Sequence, residues 1–160
     1  MRSLGIALLT GVAVLAACGG GETPDAASTT PAVTPAESTS APATLSPITG
    51  TVHVVNMVGD GAGYRYEPST ITAKPGDGIR FVMVSFGPHN VAFDPAQIPA
   101  GQKEQLWANM GENAMDGSSP MMLVDGAEWT LSLGNLEAGT YPFVCTPHFA
   151  MSMKGEIIIR

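Results

Sequence analysis

The residues best suited to chemistry stand close together near the C-terminus. Within residues 141–155 the chain reads Tyr-Pro-Phe-Val-Cys-Thr-Pro-His-Phe-Ala-Met-Ser-Met-Lys-Gly. One short loop thus carries a thiol (Cys145), an imidazole (His148) and two thioethers (Met151 and Met153). A second histidine, His89, lies far upstream in Phe-Gly-Pro-His-Asn-Val. Thiolate and thioether suit Cu(I), and imidazole suits both Cu(I) and Cu(II). Two histidines, a cysteine and a weak axial methionine together form the donor set of an electron-transfer copper site.

The spacing supports one shared centre. Cys145 ends an apolar run that reads as a strand. Thr146 and Pro147 turn the loop and return His148 towards the same point. Met153 comes five residues after His148 and just before the last apolar run. His89 must arrive from another strand, between Pro88 and Asn90. Met151 stands three residues after His148, so the loop offers two thioether spacings.

Competing chemistries fit less well. Structural zinc sites take four strong ligands, and methionine is not one of them. A cysteine hydrolase using Cys145 with His89 or His148 would leave the neighbouring methionine unexplained. The two-copper centre of oxidases needs paired cysteines near one site, and a multicopper oxidase needs more than three histidines. The expectation is a protein that is not an enzyme. His53 sits inside a strand pattern and reads as a surface or hydrogen-bonded residue. Trp107 and Trp129 read as packing residues. Met110, Met115, Met121 and Met122 read as core or contact surface, and the alternative function is a periplasmic copper carrier or metallochaperone using the same site plus this methionine-rich loop.

The elements that must position these groups are strands. Of 160 residues, 19 are glycine and 13 proline, and β-branched runs alternate with turn signals. Strands are expected at 51–58, 79–85, 89–93, 128–133, 141–145 and 155–160, with extended chain over 64–73. The turn Lys74-Pro75-Gly76-Asp77 is clear. Residues 95–127 are the least regular part, with a short helix expected over 102–110. The fold class is therefore an all-β, Greek-key sandwich with one longer, partly helical insertion around 95–127.

The N-terminal part reads differently. Arg2 followed by the apolar run 4–17 is a signal-peptide pattern, too short for a comfortable membrane span. It ends Leu15-Ala16-Ala17-Cys18, which resembles a bacterial lipobox, with Cys18 as the lipid acceptor. Residues 19–47, rich in Gly, Ala, Ser, Thr and Pro, read as a disordered tether. The expected domains are 1–18, 19–47 and 48–160. If Cys18 carries lipid, Cys145 is the only remaining thiol of an exported protein, and metal ligation accounts for it. The formal net charge is -7, and no Lys/Arg cluster is present. No nucleic-acid partner is expected. An acidic surface favours encounter with a partner that has a basic docking face.

These motifs resemble one family. Phe81 to Asp94 with Pro-His-Asn-Val, and the Cys145 loop, are similar to the plastocyanin/pseudoazurin branch of the cupredoxins. The segments Tyr66-Glu67-Pro68-Ser69-Thr70-Ile71 and Lys74-Pro75-Gly76-Asp77 share the likeness. The resemblance implies one copper ion held by His89, Cys145, His148 and Met153, with Met151 as port surface or core. It implies that Asn90 hydrogen-bonds near the cysteine sulfur and ties the two ligand loops together. His148 would be the solvent-edge ligand, with Pro147, Phe149 and Ala150 forming part of an apolar electron port. The implied function is single-electron transfer between redox proteins, such as a cytochrome or a membrane electron-transfer complex. The expected protein is a monomer, lipid-anchored on the periplasmic or cell-surface side of a bacterial membrane.

Overall fold

The computed structural model describes residues 43–112 and 114–160. The expected signal segment, Cys18 and most of the expected tether lie outside them. Among the described residues, eight strands and one α-helix follow in order: β1 (Val52–Asp60), β2 (Gly63–Glu67), β3 (Thr70–Ala73), β4 (Gly78–Met83), β5 (Ala92–Phe93), α1 (Lys103–Met110), β6 (Glu128–Ser132), β7 (Gly139–Val144) and β8 (Lys154–Ile159). They form two four-stranded sheets, ordered β2-β1-β4-β6 and β3-β8-β7-β5. β1–β4 and β3–β8 pair in parallel, and the other neighbours are antiparallel.

Alternation along the strands produces the core. β4 buries Ile79, Phe81 and Met83, while Arg80 between them is exposed. β7 and β8 bury Tyr141, Phe143, Ile157 and Ile159. Side chains at every second position point to one face, so each sheet presents an apolar inner surface. Aromatic rings join the two surfaces: Phe143 lies 5.4 Å from Phe81 and 4.8 Å from Tyr66, both edge-to-face. Such edge contacts pair the positive ring edge with the negative ring face.

The expected strand over 89–93 shrinks to Ala92–Phe93. Its upstream backbone is paired instead to the insertion. His89 N–H donates to Met122 O and Met122 N–H to His89 O, at 3.0 and 2.8 Å. Ser119 N–H donates to Val91 O, and Phe93 N–H to Gly117 O. The insertion therefore supplies the ladder that a neighbouring strand would otherwise provide. Its helix, α1, buries Leu106, Asn109 and Met110.

Ordered contacts begin upstream of Ile48. Ser46 is buried, and its N–H donates to Asn109 Oδ1 at 3.0 Å. Its hydroxyl accepts from Asn135 Nδ2 at 2.8 Å and from Gln105 Nε2 at 3.2 Å. Asn109 Nδ2 also donates to Gly134 O at 2.7 Å. The polar side of α1 thus fixes the chain where it enters the domain.

The Lys74–Asp77 turn is the other polar anchor at this end. Gly76 adopts φ +90°, as the second corner of such a turn requires after Pro75. Asp77 accepts from Thr51 N–H and Lys74 N–H, at 2.8 and 3.0 Å, and pairs with His53 Nε2 at 2.9 Å. His53 is thus a hydrogen-bonded residue, as the sequence suggested. The His53 hydrogen bond, followed by the Lys74 and Thr51 amides, holds the Asp77 carboxyl at about 2, below its ordinary 3.8. A depressed carboxylate stabilises the fold above its unfolded pKa, and this stabilisation fades as pH falls through the folded value. Asp77→Asn should cost about 1–3 kcal/mol near neutral pH, because charge-assisted bonds are lost. It should also flatten the dependence of stability on pH between about 4 and 2. Urea titrations across that range test both expectations, and an unchanged slope would rule out Asp77 as the titrating group.

Candidate metal centre

Three buried donors converge at the end of the sandwich opposite Ser46. Cys145 follows β7, and its N–H donates to Met153 O at 3.0 Å, extending the β7–β8 ladder by one step. His148 N–H donates to Cys145 O at 3.2 Å, which turns the loop sharply. A 3-10 turn, Phe149–Met151, follows, and Ser152 at φ +63° reverses the chain into Met153. Met153 N–H returns to His148 O at 3.3 Å. Local hydrogen bonds thus set the Cys145–His148 spacing, and His89 arrives from the segment braced by Met122.

Cys145 Sγ lies 3.6 Å from His89 Nδ1 and 3.4 Å from His148 Nδ1. All three donor atoms fall within 4.8 Å of one another. The exposures are 0% for Cys145, 0% for His89 and 6% for His148. A metal bonded to nitrogen at about 2.0 Å and sulfur at about 2.3 Å, near trigonal angles, requires roughly 3.7 Å between those donors. The observed S···N distances match this without movement of any strand. The chemistry also fits, since one soft sulfur and two imidazoles suit copper in both oxidation states.

The distal ring atoms define which nitrogen faces the centre. His89 Nε2 lies 3.0 Å from Ser85 O, a carbonyl that can only accept. Nε2 is therefore the protonated nitrogen, and Nδ1 keeps its lone pair for a metal. Without metal, burial pushes the Cys145 thiol upward, against the opposing pull of the Asn90 and His148 amides and the Tyr66 hydroxyl. Burial lowers the pKa of His148, and the nearby His89 adds to this. The metal-free pocket thus favours an uncharged Cys145 and an uncharged His148, so metal binding must expel the thiol proton.

The sequence-expected residues fall as follows. Asn90 bridges the two ligand loops through Thr146: its Oδ1 accepts from Thr146 N–H at 2.8 Å and its Nδ2 donates to Thr146 Oγ1 at 3.1 Å. Asn90 O in turn accepts the Tyr66 hydroxyl at 2.6 Å. Pro147, Phe149 and Ala150 are exposed around His148. Met153 is 1% exposed and Met151 51%. Of the insertion's methionines, Met110 and Met122 are buried, while Met115 and Met121 are exposed.

Three contributors escaped the sequence reading. Ser85 and Met122 act through backbone carbonyl and amide groups, which leave no side-chain signature. Tyr64 stacks flat on His148, with ring centroids 3.7 Å apart and planes 12° apart. A tyrosine in a strand pattern reads as ordinary packing, so only the three-dimensional hairpin reveals it. Exposed Phe86 joins Tyr64 on this side of the centre, both lying beside Gly59.

Comparisons with known proteins agree with this geometry. The sequence profile of the copper binding proteins, plastocyanin/azurin family, matches residues 52–160, a span that includes every donor named above. Plastocyanin A/B of Petroselinum crispum is 35% identical over 106 residues, covering 66% of this chain and 98% of the relative. The plastocyanin of Prochlorothrix hollandica is also 35% identical, over 95 residues, covering 59% of this chain and 63% of that protein. The solved oxidised plastocyanin of Dryopteris crassirhizoma superposes with a TM-score of 0.52 at 32% identity, covering 67% of this chain and 99% of that one. With its sandwich, its buried two-histidine, one-cysteine cluster and these relatives, the chain belongs to the copper-binding plastocyanin/azurin family.

Proposed function

We propose that this protein is a blue copper electron carrier and not an enzyme, with His89, Cys145, His148 and Met153 as the copper ligands. The convergence of two Nδ1 atoms on one buried thiol carries the reading. Bound copper supplies a one-electron couple. The chain's task is to hold the donors still and keep water out. The buried donors, the ladder bond at Cys145 and the Asn90–Thr146 bridge all serve that task. A rigid donor set limits rearrangement between oxidation states, which favours fast exchange of single electrons.

His148 and the exposed Pro147, Phe149 and Ala150 form the electron port in this reading. The partners are redox proteins outside the cytoplasmic membrane, such as a cytochrome or a membrane complex. A signal segment over 1–18, a lipid on Cys18 and a tether from residue 19 to the Ser46 anchor hold the carrier at the membrane surface, where it works as a monomer. Reconstituting the protein with Cu(II) tests the central claim. An intense visible charge-transfer band and a reversible one-electron couple are expected. Colourless binding, or rapid loss of Cu(I) to a weak chelator, would refute it.

Met153 would be the fourth, weak thioether donor, because it is buried whereas Met151 is exposed. An axial thioether tunes the metal more than it holds it. Met153→Leu should keep the colour and shift the reduction potential, and Met151→Leu should move neither. Voltammetry of both variants checks this, and the reverse pattern would transfer the role to Met151.

A further inference from the structure

We infer that Tyr64 is the positioning residue for His148, taking the place of the hydrogen bond that orients its companion His89. The inference rests on the copper reading above. Histidines that bind metals almost always have the distal nitrogen held by an acceptor, which sets the ring plane. His89 follows that rule through Ser85 O, at 3.0 Å from Nε2. Among the described residues, the only side-chain hydrogen-bonding contact of the His148 ring is between Nδ1 and the Cys145 sulfur. Its loop is also the more exposed of the two, flanked by outward-facing Pro147, Phe149 and Ala150. Yet His148 is only 6% exposed.

The Tyr64 ring supplies the missing restraint. It lies nearly parallel to the imidazole, and it also meets the His89 ring edge-on at 6.1 Å. A flat partner opposes tilting of the ring, while a hydrogen bond opposes its rotation; either keeps Nδ1 aimed at the centre. The hairpin is shaped to place this ring. Gly59 stands directly opposite Tyr64 in the β1–β2 register. A Cβ at position 59 would come within 2.7 Å of Phe86 Cβ and 2.8 Å of Tyr64 Cε1. Gly59 has an ordinary backbone, outside the left-handed region, so the glycine serves space: it leaves room for Tyr64 to lie flat. Tyr64 is then held between the hairpin backbone and the imidazole.

The test uses the full chain loaded with copper and three variants: Tyr64→Phe, Tyr64→Leu and Gly59→Ala. Release of Cu(I) to a strong chelator and the Cu(II) EPR spectrum are measured, along with the urea stability of the metal-free protein. Tyr64→Phe keeps the ring and should match the unsubstituted protein in release and spectrum. Tyr64→Leu should release copper about two- to ten-fold faster, as loss of one aromatic stack permits, and should alter the EPR hyperfine pattern. Gly59→Ala should move both readouts in the same direction while keeping residue 64 a tyrosine, because the added Cβ displaces its ring. If Tyr64→Leu lowers metal-free stability but leaves release and EPR unmoved, Tyr64 is only a packing residue and the inference is overturned. Equal damage from Tyr64→Phe and Tyr64→Leu would also overturn it, since the hydroxyl and not the ring would then matter. Absence of the charge-transfer band in the unsubstituted protein would bring down the copper reading and this inference together; a normal band with an unaffected Tyr64→Leu brings down this inference alone.

Discussion

Cys145→Ser is expected to erase the intense visible band of the Cu(II)-loaded protein while the β-sheet signal in far-ultraviolet circular dichroism persists. The band requires a thiolate bonded to Cu(II), and Cys145 is the only cysteine among the described residues. A serine hydroxyl is a hard donor that keeps its proton near neutral pH, so it replaces neither the charge nor the softness. The fold has other supports. The Cys145 amide bond to Met153 O is made by backbone, and the substitution leaves it intact. The buried hydroxyl should cost about 1–3 kcal/mol at most, and the two imidazoles offer it hydrogen-bond partners. Copper affinity should fall by orders of magnitude, since two neutral imidazoles and a thioether remain. A band of undiminished strength in this variant would exclude Cys145 as the ligand.

Phe143→Ala should give the largest loss of stability in the domain. Phe143 is 1% exposed and meets three rings: Tyr66 at 4.8 Å, Phe81 at 5.4 Å and Phe93 at 5.9 Å. Removing a buried phenyl group costs about 3–5 kcal/mol, from lost transfer energy and the cavity left behind. That is a large part of the roughly 5–15 kcal/mol available to a typical domain. The residue also lies on β7, two positions before Cys145, so the cavity opens close to the metal centre. Copper binds the folded form and should restore part of the loss by mass action. Urea titrations with and without copper should therefore diverge more for the variant than for the unsubstituted protein. A loss below about 1 kcal/mol would contradict the packing described here.

The legible and illegible parts of this molecule divide along one physical line. Cys145 and His148 share a short loop, so their meeting at one centre is written in local spacing. The Lys74–Asp77 turn is local in the same way, and α1 fell within a residue of its expected start. His89 was legible through its own flanks, although its partner loop lies 56 residues away. The supports of these residues were not. Ser85 O, Met122 and Tyr64 act through tertiary contact, and nothing in their neighbours distinguishes them from ordinary strand or loop residues. The shortened strand at Ala92–Phe93 has the same origin, because insertion residues 24 to 33 positions downstream captured its backbone partners. Ser46 looked like part of a polar tether, and only the amide side chains of α1 and Asn135 explain its burial.

The lock on Ser46 also defines a handle. β4 starts beside Ile48 and runs towards Ser85, whose carbonyl contacts His89. At about 3.3 Å per residue, that run separates the two ends by roughly 20 Å. An attachment made just upstream of Ser46 would therefore grip the domain at the pole remote from copper. On a gold electrode or a bead, proteins fixed in this way would stand with Phe149, Phe86 and Tyr64 facing the solution. Current from such a film would report exchange with soluble partners, with little direct tunnelling from the support. Loosening the grip through Asn109→Ala would let the domains tumble on their leash, and the film would lose its uniform orientation.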